Sequence, residues 1–176
     1  MFGIIKNNLA HFIIKRKYAK KNPPVLTFNN FFTKSAYYFV LMPYDEKDFT
    51  NALNILKFFD TNKKNVTIFL QHYKVNLIPS KTRFKFITYD ESDLARLNLP
   101  KPSLVKRLKK KTFDVVIDLN LQENVLTSAV SNLVDANFRI GFQKRNSDKY
   151  YNLLYMNDQS NSEISYKNLL ASLQMF

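Results

Sequence analysis

The chain has 176 residues, of which 45% are hydrophobic and 15% aromatic, and its formal net charge is +13. This length and apolar content fit one folded domain and exclude an intrinsically disordered segment. Because the sequence contains no cysteine, disulfides, thiolate zinc sites and thiol nucleophiles are also excluded. His11 and His72 lie in separate segments, so we expect neither a metal site nor a His-dependent mechanism.

The first predicted region is residues 1–35, a basic amphipathic helix over 2–20 followed by a connection. The helix ends before two prolines, and its apolar residues recur at spacings of three and four. These residues define one face: Phe2, Ile5, Leu9, Phe12 and Ile13. Such a helix either docks on its own domain or binds a membrane surface or a partner, and both alternatives remain open. Residues 25–35 are expected to pack onto the domain.

From residue 36 onward, short apolar runs alternate with helical periods. Strands are predicted at 37–42, 65–71, 83–88, 113–119, 137–142 and 151–156. Helices are predicted at 47–59, 102–112, 122–135 and 161–174. This alternation predicts a single doubly wound α/β domain over residues 36–176, with a mainly parallel sheet and helices on both faces.

Positive charge is concentrated in two stretches that contain no acid, residues 1–22 and 101–111, and together they hold 12 of the 13 net charges. Their cations are Lys6, Lys15, Arg16, Lys17, Lys20, Lys21, Lys101, Lys106, Arg107, Lys109, Lys110 and Lys111. Such concentrated positive charge favours an anionic partner: RNA, DNA or an acidic membrane surface. The alternative is a solvated lysine-rich surface without a partner.

Glycine is almost absent from the chain, which contains only Gly3 and Gly141. The first turn between a strand and a helix, residues 43–48, is acidic and has no glycine, which excludes a dinucleotide fingerprint and a P-loop. We therefore predict no cofactor. Acids near strand ends are the remaining catalytic candidates: Asp45, Glu46, Asp48, Asp118 and Glu123. Each is a possible general base at the sheet edge, but helix capping by Asp45 or Asp48 is the favoured interpretation.

Residues 113–142, FDVVIDLNLQENVLTSAVSNLVDANFRIGF, resemble a segment of the heptosyltransferases, glycosyltransferase family 9. The matching positions are Phe113, Asp114, Val116, Ile117, Asp118, Leu119, Ser128, Ala136, Arg139, Ile140, Gly141 and Phe142. The earlier order of elements also resembles that family's N-terminal domain, so the resemblance covers roughly residues 36–156. It implies the Rossmann-like half of a GT-B fold.

The sequence departs from that family in two respects. The family has a glycine before the aspartate taken as its catalytic base, whereas here Asp48 follows Lys47. The family also places its nucleotide-sugar donor in a second domain, for which 176 residues leave no room. The resemblance therefore implies a half-enzyme without glycosyl transfer of its own, in which Asp48 is the one catalytic candidate.

These observations predict a non-catalytic binding module whose basic stretches contact a polyanion, with structured RNA or the ribosome as the leading partner. Aromatic residues near the first basic stretch are candidates for base stacking: Tyr18, Phe28, Phe31 and Phe32. The alternatives are peripheral membrane association through helix 2–20 and a degenerate transferase subunit that acts with a donor-binding protein partner. No segment resembles a membrane span or a secretory signal, so we expect a cytoplasmic location, with a peripheral position at the inner membrane face as the variant.

Overall fold

A six-stranded sheet, parallel throughout, forms the centre of the computed structural model, which describes residues 2–18 and 31–175. The strands are β1 (Tyr37–Leu41), β2 (Asn65–Gln71), β3 (Lys85–Tyr89), β4 (Thr112–Asp118), β5 (Asp135–Phe142) and β6 (Leu153–Tyr155). Their order in the sheet is β3-β2-β1-β4-β5-β6, so the winding direction reverses between β1 and β4. This is a doubly wound Rossmann-like α/β fold, and the prediction of fold class is confirmed.

Helices cover both faces of the sheet. They are α1 (Phe2–Lys17), α2 (Phe31–Lys34), α3 (Glu46–Thr61), α4 (Pro102–Leu108), α5 (Val125–Leu133) and α6 (Ser162–Leu173). Short 3-10 turns occupy the connections at His72–Leu77, Lys81–Arg83, Glu91–Asp93, Arg96–Asn98 and Ser147–Lys149. The predicted helix over 102–112 is shorter in the structure, because the chain must turn at Lys109–Lys111 before β4 begins.

Alternate residues of β1 divide the core into two layers. Tyr38 and Val40 face α2, α3 and α6, whereas Phe39 and Leu41 face α4 and α5. All four side chains are fully buried. Strands covered on both faces are apolar along their whole length, which is why YYFVL appears in the sequence as an apolar run without polar alternation.

Helix α1 docks on the outside of α5 and on the turn at Arg96–Asn98. The buried side chains of its docking face are Ala10, His11 and Ile14. Of the face predicted from the apolar spacing, Leu9 and Phe12 are 51% and 61% exposed, whereas Ile13 is partly buried in the contact. The structure therefore shows the docking alternative, with a face of the helix that matches the predicted one only in part.

Helix α2 carries Phe31 and Phe32 into the core, where they are 2% and 6% exposed. The packing expected for residues 25–35 is confirmed for these two residues, and base stacking by their rings is wrong because neither ring is accessible. Lys64 fixes the end of α2, since its Nζ donates hydrogen bonds to the carbonyl oxygens of Phe32 at 2.7 Å and Ser35 at 2.9 Å. Tyr18, also proposed for stacking, is half-buried, and Phe28 lies outside the described residues.

Candidate functional site

The two charge-rich stretches meet at one surface hollow of about 480 Å³. Lys17, at the end of α1, lines it together with three lysines of α4 and the turn that follows: Lys106, Lys109 and Lys110. The rest of the lining comes from Pro100, Pro102 and Val105. The four lysine side chains are exposed. The fold thus brings together cations that are far apart in the sequence.

A second hollow, of about 510 Å³, opens at the amino-terminal edge of the sheet. Its cations stand before or at the start of strands β2, β3 and β4: Lys63, Lys64, Arg83, Lys85, Lys110 and Lys111. Lys110 lines both hollows, so the two lie next to each other. We call the cation-lined surface of both hollows the basic surface.

Most lysines of the basic surface have no counter-charge among the described residues. Seven exposed side chains form neither an ion pair nor a side-chain hydrogen bond there: Lys17, Lys63, Lys85, Lys106, Lys109, Lys110 and Lys111. Arg83 is engaged, because its Nε lies 2.9 Å from Oδ1 of Asp60, and Lys64 caps α2. Like charges gathered on one surface repel each other, and a bound anion offsets that repulsion.

Two cations predicted to bind the polyanion make contacts within the protein instead of lining the hollows. The Nζ of Lys101 donates a hydrogen bond of 2.7 Å to the carbonyl oxygen of Ser92. Arg107 places Nη2 2.8 Å from Oδ2 of Asp93, and its Nη1 donates to the carbonyl oxygen of Thr88 at 2.9 Å. Both side chains connect α4 to the end of β3 and the loop that follows.

Five other cations were predicted to bind the polyanion, and the structure describes three of them. Three are exposed on α1 but line neither hollow: Lys6, Lys15 and Arg16. Outside the described residues are Lys20 and Lys21. Sequence reasoning missed four cations of the second hollow: Lys63, Lys64, Arg83 and Lys85. Because the amino ends of parallel strands meet at one edge of a sheet, lysines that precede successive strands converge, and this position is the signal in the sequence.

The opposite, carboxyl-terminal edge of the sheet holds a crevice of about 730 Å³ on the side where β1, β2 and β3 end. Three tyrosines line it, Tyr44, Tyr73 and Tyr89, together with Asp90 and Glu91. Its lining contains no lysine, arginine or glycine. Open α/β sheets place ligands at this edge, beside the reversal of strand order. The acidic, glycine-free lining disfavours a phosphate group at this edge.

Asp118, at the end of β4, is the centre of a buried ionic network. One carboxylate oxygen lies 2.9 Å from Nζ of Lys144, and the carboxylate also accepts hydrogen bonds from Tyr151, Thr127 and Asn120. Burial alone would raise the pKa of Asp118, but the ammonium group and these hydrogen bonds outweigh it and hold the pKa below its usual value. Asp118 is fully buried, so it stabilises the fold and does not offer a carboxylate to a substrate.

The acids after β1 are placed around the start of α3. The Oδ1 of Asp45 accepts a hydrogen bond of 3.0 Å from the backbone N–H of Asp48, which confirms helix capping. Asp48 itself is half-buried, and burial raises its pKa while a hydrogen bond from Ser162 opposes that shift. Neither Asp48 nor Glu46 lines the crevice. Asp48, the candidate base that the heptosyltransferase resemblance implies, therefore does not line the cavity at this edge.

Glu123 connects the domain to α1. The Nε2 of His11 lies 2.8 Å from Oε1 of Glu123, at ion-pair distance but without the alignment of a hydrogen bond. The Nδ1 of His11 is 2.7 Å from the hydroxyl oxygen of Tyr150. Burial lowers the pKa of His11, Glu123 opposes this shift, and Lys149 and Arg145 reinforce it. The docking of α1 therefore favours a neutral histidine.

Lowering the pH below about 6.5, the ordinary pKa of histidine, should weaken the docking of α1. Because the pKa of His11 is lower in the folded protein than in the unfolded chain, the unfolded chain binds more protons and stability falls as the pH decreases. Hydrogen exchange of α1 amides, corrected for intrinsic rates, should show this loss. His11→Gln should remove the dependence, and His72→Gln, at an exposed histidine, should keep it. An unchanged dependence in His11→Gln would assign it to another group.

No helix of residues 2–18 and 31–175 is long and apolar enough to cross a bilayer. Within the same residues, no group of three or more His, Cys, Asp or Glu side chains is placed to hold a metal ion.

Comparison with the curated proteins gives no significant match. A family model covers nearly the whole sequence: residues 6–176 match the family of unknown function DUF6913, and the chain belongs to that family.

Proposed function

We propose that the protein is a non-catalytic RNA-binding module whose basic surface contacts the phosphates of structured RNA, including that of the ribosome. The observation that carries this proposal is the convergence of two distant lysine-rich stretches on one surface, where seven lysines lack a described counter-charge. Each phosphate that a lysine neutralises releases condensed counterions, so these side chains contribute affinity without a fixed hydrogen-bond geometry. Structured RNA supplies such phosphates at close and regular spacing.

An exposed aromatic ring in the basic surface favours RNA among polyanions. Tyr37 lines the second hollow and is 55% exposed. Its backbone N–H donates a hydrogen bond of 2.9 Å to Oδ2 of Asp114, which fixes the residue at the start of β1. Unstacked bases of folded RNA stack on such rings, and each stack contributes about 1–3 kcal/mol. Because RNA is abundant in the cytoplasm, we propose a cytoplasmic location for the protein.

A second candidate function, binding to an acidic membrane surface, is supported by different residues. Leu9 and Phe12 are exposed on α1 beside the exposed cations Lys15 and Arg16. Apolar side chains with neighbouring cations suit the headgroup region of an anionic bilayer. Two apolar side chains bury little area, however, so the basic surface makes RNA the stronger proposal.

A sucrose gradient of native lysate at low salt separates these two functions. RNA binding predicts that the protein migrates with ribosomal fractions, that raising the salt releases it, and that a Leu9→Gln/Phe12→Ser double variant behaves like the wild type. Membrane binding predicts flotation with membranes that the double variant loses. Deletion of α1 is a poor test, because it would uncover Ala129 and Tyr150, which pack against this helix. A soluble profile at low salt would contradict both functions.

The resemblance to the heptosyltransferases stays a prediction. It would make the protein a subunit that acts with a donor-binding partner, with Asp48 as the base and Lys47 near the acceptor phosphate. Asp48 is half-buried and outside the crevice, which counts against this role. In a reconstituted pair with measurable transferase activity, an Asp48→Ala variant of full activity would exclude it.

A further inference from the structure

The crevice at the carboxyl-terminal edge differs from the basic surface in its charge. Asp90 and Glu91 are exposed in it, and neither forms an ion pair with a described cation. The neighbouring Asp93 is neutralised by Arg107 at 2.8 Å and does not line the crevice. In a chain of net charge +13, this cavity therefore offers two carboxylates and no cationic side chain.

Tyr89 supplies a polar group without a partner. Its side chain lines the crevice although it is only 7% exposed, and its ring stacks on Phe69 with 4.8 Å between centroids. Its hydroxyl forms no hydrogen bond with a described residue. Burial raises the pKa of Tyr89, and the neighbouring Tyr44 and Tyr73 reinforce the shift, so the hydroxyl keeps its proton as a donor. A hydroxyl that faces the crevice without a protein partner is available to bond a ligand atom.

The other two tyrosines present exposed aromatic rings to the crevice. Tyr44 and Tyr73 are 60% and 59% exposed. The Nζ of the buried Lys74 lies 5.7 and 5.8 Å from their centroids, and its charge is paired with Oε1 of Glu46 at 3.2 Å. Rings of this type attract a bound cation, and more strongly where water is excluded. Aromatic rings beside carboxylates that have no cationic partner suit a bound cationic nitrogen.

The wall of the crevice formed by residues 90–100 is fixed in place. Leu97 and Asn98 have positive φ angles of 66° and 57°, a conformation that is costly for a residue such as leucine. Surrounding contacts maintain it, since Leu94 pairs with Pro100 and the turn packs against α1. Held backbone strain of this kind is characteristic of ligand sites, and Asn98 lines the crevice.

We propose that this crevice binds a small organic cation, with an amine or guanidinium group joined to an apolar or planar portion. Asp90 and Glu91 pair with the charged group, the rings of Tyr44 and Tyr73 lie against it, and Tyr89 donates a hydrogen bond to an acceptor atom of the ligand. A phosphorylated ligand is disfavoured, because the lining provides neither cations nor a glycine-rich loop. The site is independent of the basic surface and of RNA binding.

Calorimetric titration of the full-length protein with argininamide tests this proposal, with spermidine as a second cationic probe. We expect saturable binding, at least about tenfold weaker in an Asp90→Asn/Glu91→Gln double variant. Tyr89→Phe, which removes only the hydroxyl, should weaken argininamide several-fold. The matched control, Asp158→Asn/Glu163→Gln, removes two exposed carboxylates elsewhere and should bind like the wild type. Melting temperatures show that each variant is folded. No saturable binding of either probe, or an equal loss in the control, would overturn the proposal.

Discussion

Lys144→Met should lower the free energy of unfolding by about 3–5 kcal/mol, the range for breaking a buried ion pair from one side. Lys144 is 5% exposed, and its Nζ lies 2.9 Å from the fully buried carboxylate of Asp118. The same ammonium donates a hydrogen bond of 2.7 Å to the carbonyl oxygen of Asn120. Its removal leaves a carboxylate in the core without a counter-charge. Urea denaturation at neutral pH measures the loss.

Two further variants show whether this effect comes from the buried charge. Lys149→Met removes an exposed lysine nearby and should change the free energy of unfolding by less than about 0.5 kcal/mol. Asp118→Asn combined with Lys144→Met removes both charges and should recover part of the loss. A loss below about 1 kcal/mol for Lys144→Met alone would contradict the account, because it would mean that Asp118 tolerates burial without its ammonium partner.

Replacing Lys106, Lys109 and Lys110 together by glutamine should weaken the binding of a structured RNA hairpin by about tenfold to a hundredfold. These side chains line the first hollow, and Lys110 joins it to the second. The slope of log affinity against log salt should become shallower by about 3, or about 1 for each lysine. Fluorescence anisotropy with a labelled hairpin measures both quantities.

A matched triple variant separates position from net charge. Lys47, Lys57 and Lys167 are exposed on α3 and α6, the layer opposite α4. Their replacement by glutamine removes the same three charges and should leave RNA affinity within about threefold of the wild type, because screening weakens charges beyond a Debye length. Equal losses in the two triple variants would show that only the overall charge attracts RNA.

The fold is predictable from the sequence because its strands are buried on both faces. The stretch 113–119 is apolar apart from its two aspartates and corresponds to β4, Thr112–Asp118, to within one residue. The C-terminal end of α4 was harder to predict, because lysine is compatible with a helix and no glycine or proline follows Leu108 to end it. There the need to start β4 at Thr112 decides the boundary.

The docking face of α1 depends on information from the rest of the chain. The face predicted from apolar spacing included Leu9 and Phe12, which are exposed, and left out Ile14, which is buried. The difference comes from His11, on the same side as Ile14, because its partners Glu123 and Tyr150 belong to distant elements. The sequence of residues 2–20 alone therefore does not show which face of the helix docks.

Three positions of the heptosyltransferase-like stretch have structural roles in this protein. Asp118 is the centre of the buried ionic network, and Arg139 donates hydrogen bonds of 2.8–3.1 Å to carbonyl oxygens in and beyond the last turn of α5. A Cβ at Gly141 would lie 3.1 Å from the ring of Tyr151, so a larger residue would crowd this contact. These positions serve the packing of β4, α5 and β5, and sequence alone does not separate such packing from shared chemistry.

The basic surface was only half predictable. Runs of lysine identify Lys106, Lys109, Lys110 and Lys111, but Lys63 and Lys85 join them only because parallel strands align their amino ends. The aromatic crevice shows the same limit, since Tyr44, Tyr73 and Tyr89 lie at or just after the ends of three different strands and form no sequence motif. The order of the strands in the sheet brings these three tyrosines together, and composition does not reveal that order.

The salt dependence of RNA binding by the purified wild-type protein tests the central claim most directly. With seven available lysines, the slope of log affinity against log salt should be about −6 for a double-stranded hairpin. Affinity should then fall by roughly 10³- to 10⁴-fold between about 50 and about 200 mM salt. This result would support a surface that binds RNA phosphates through lysines. A slope near zero, or no binding at about 50 mM salt, would contradict the account.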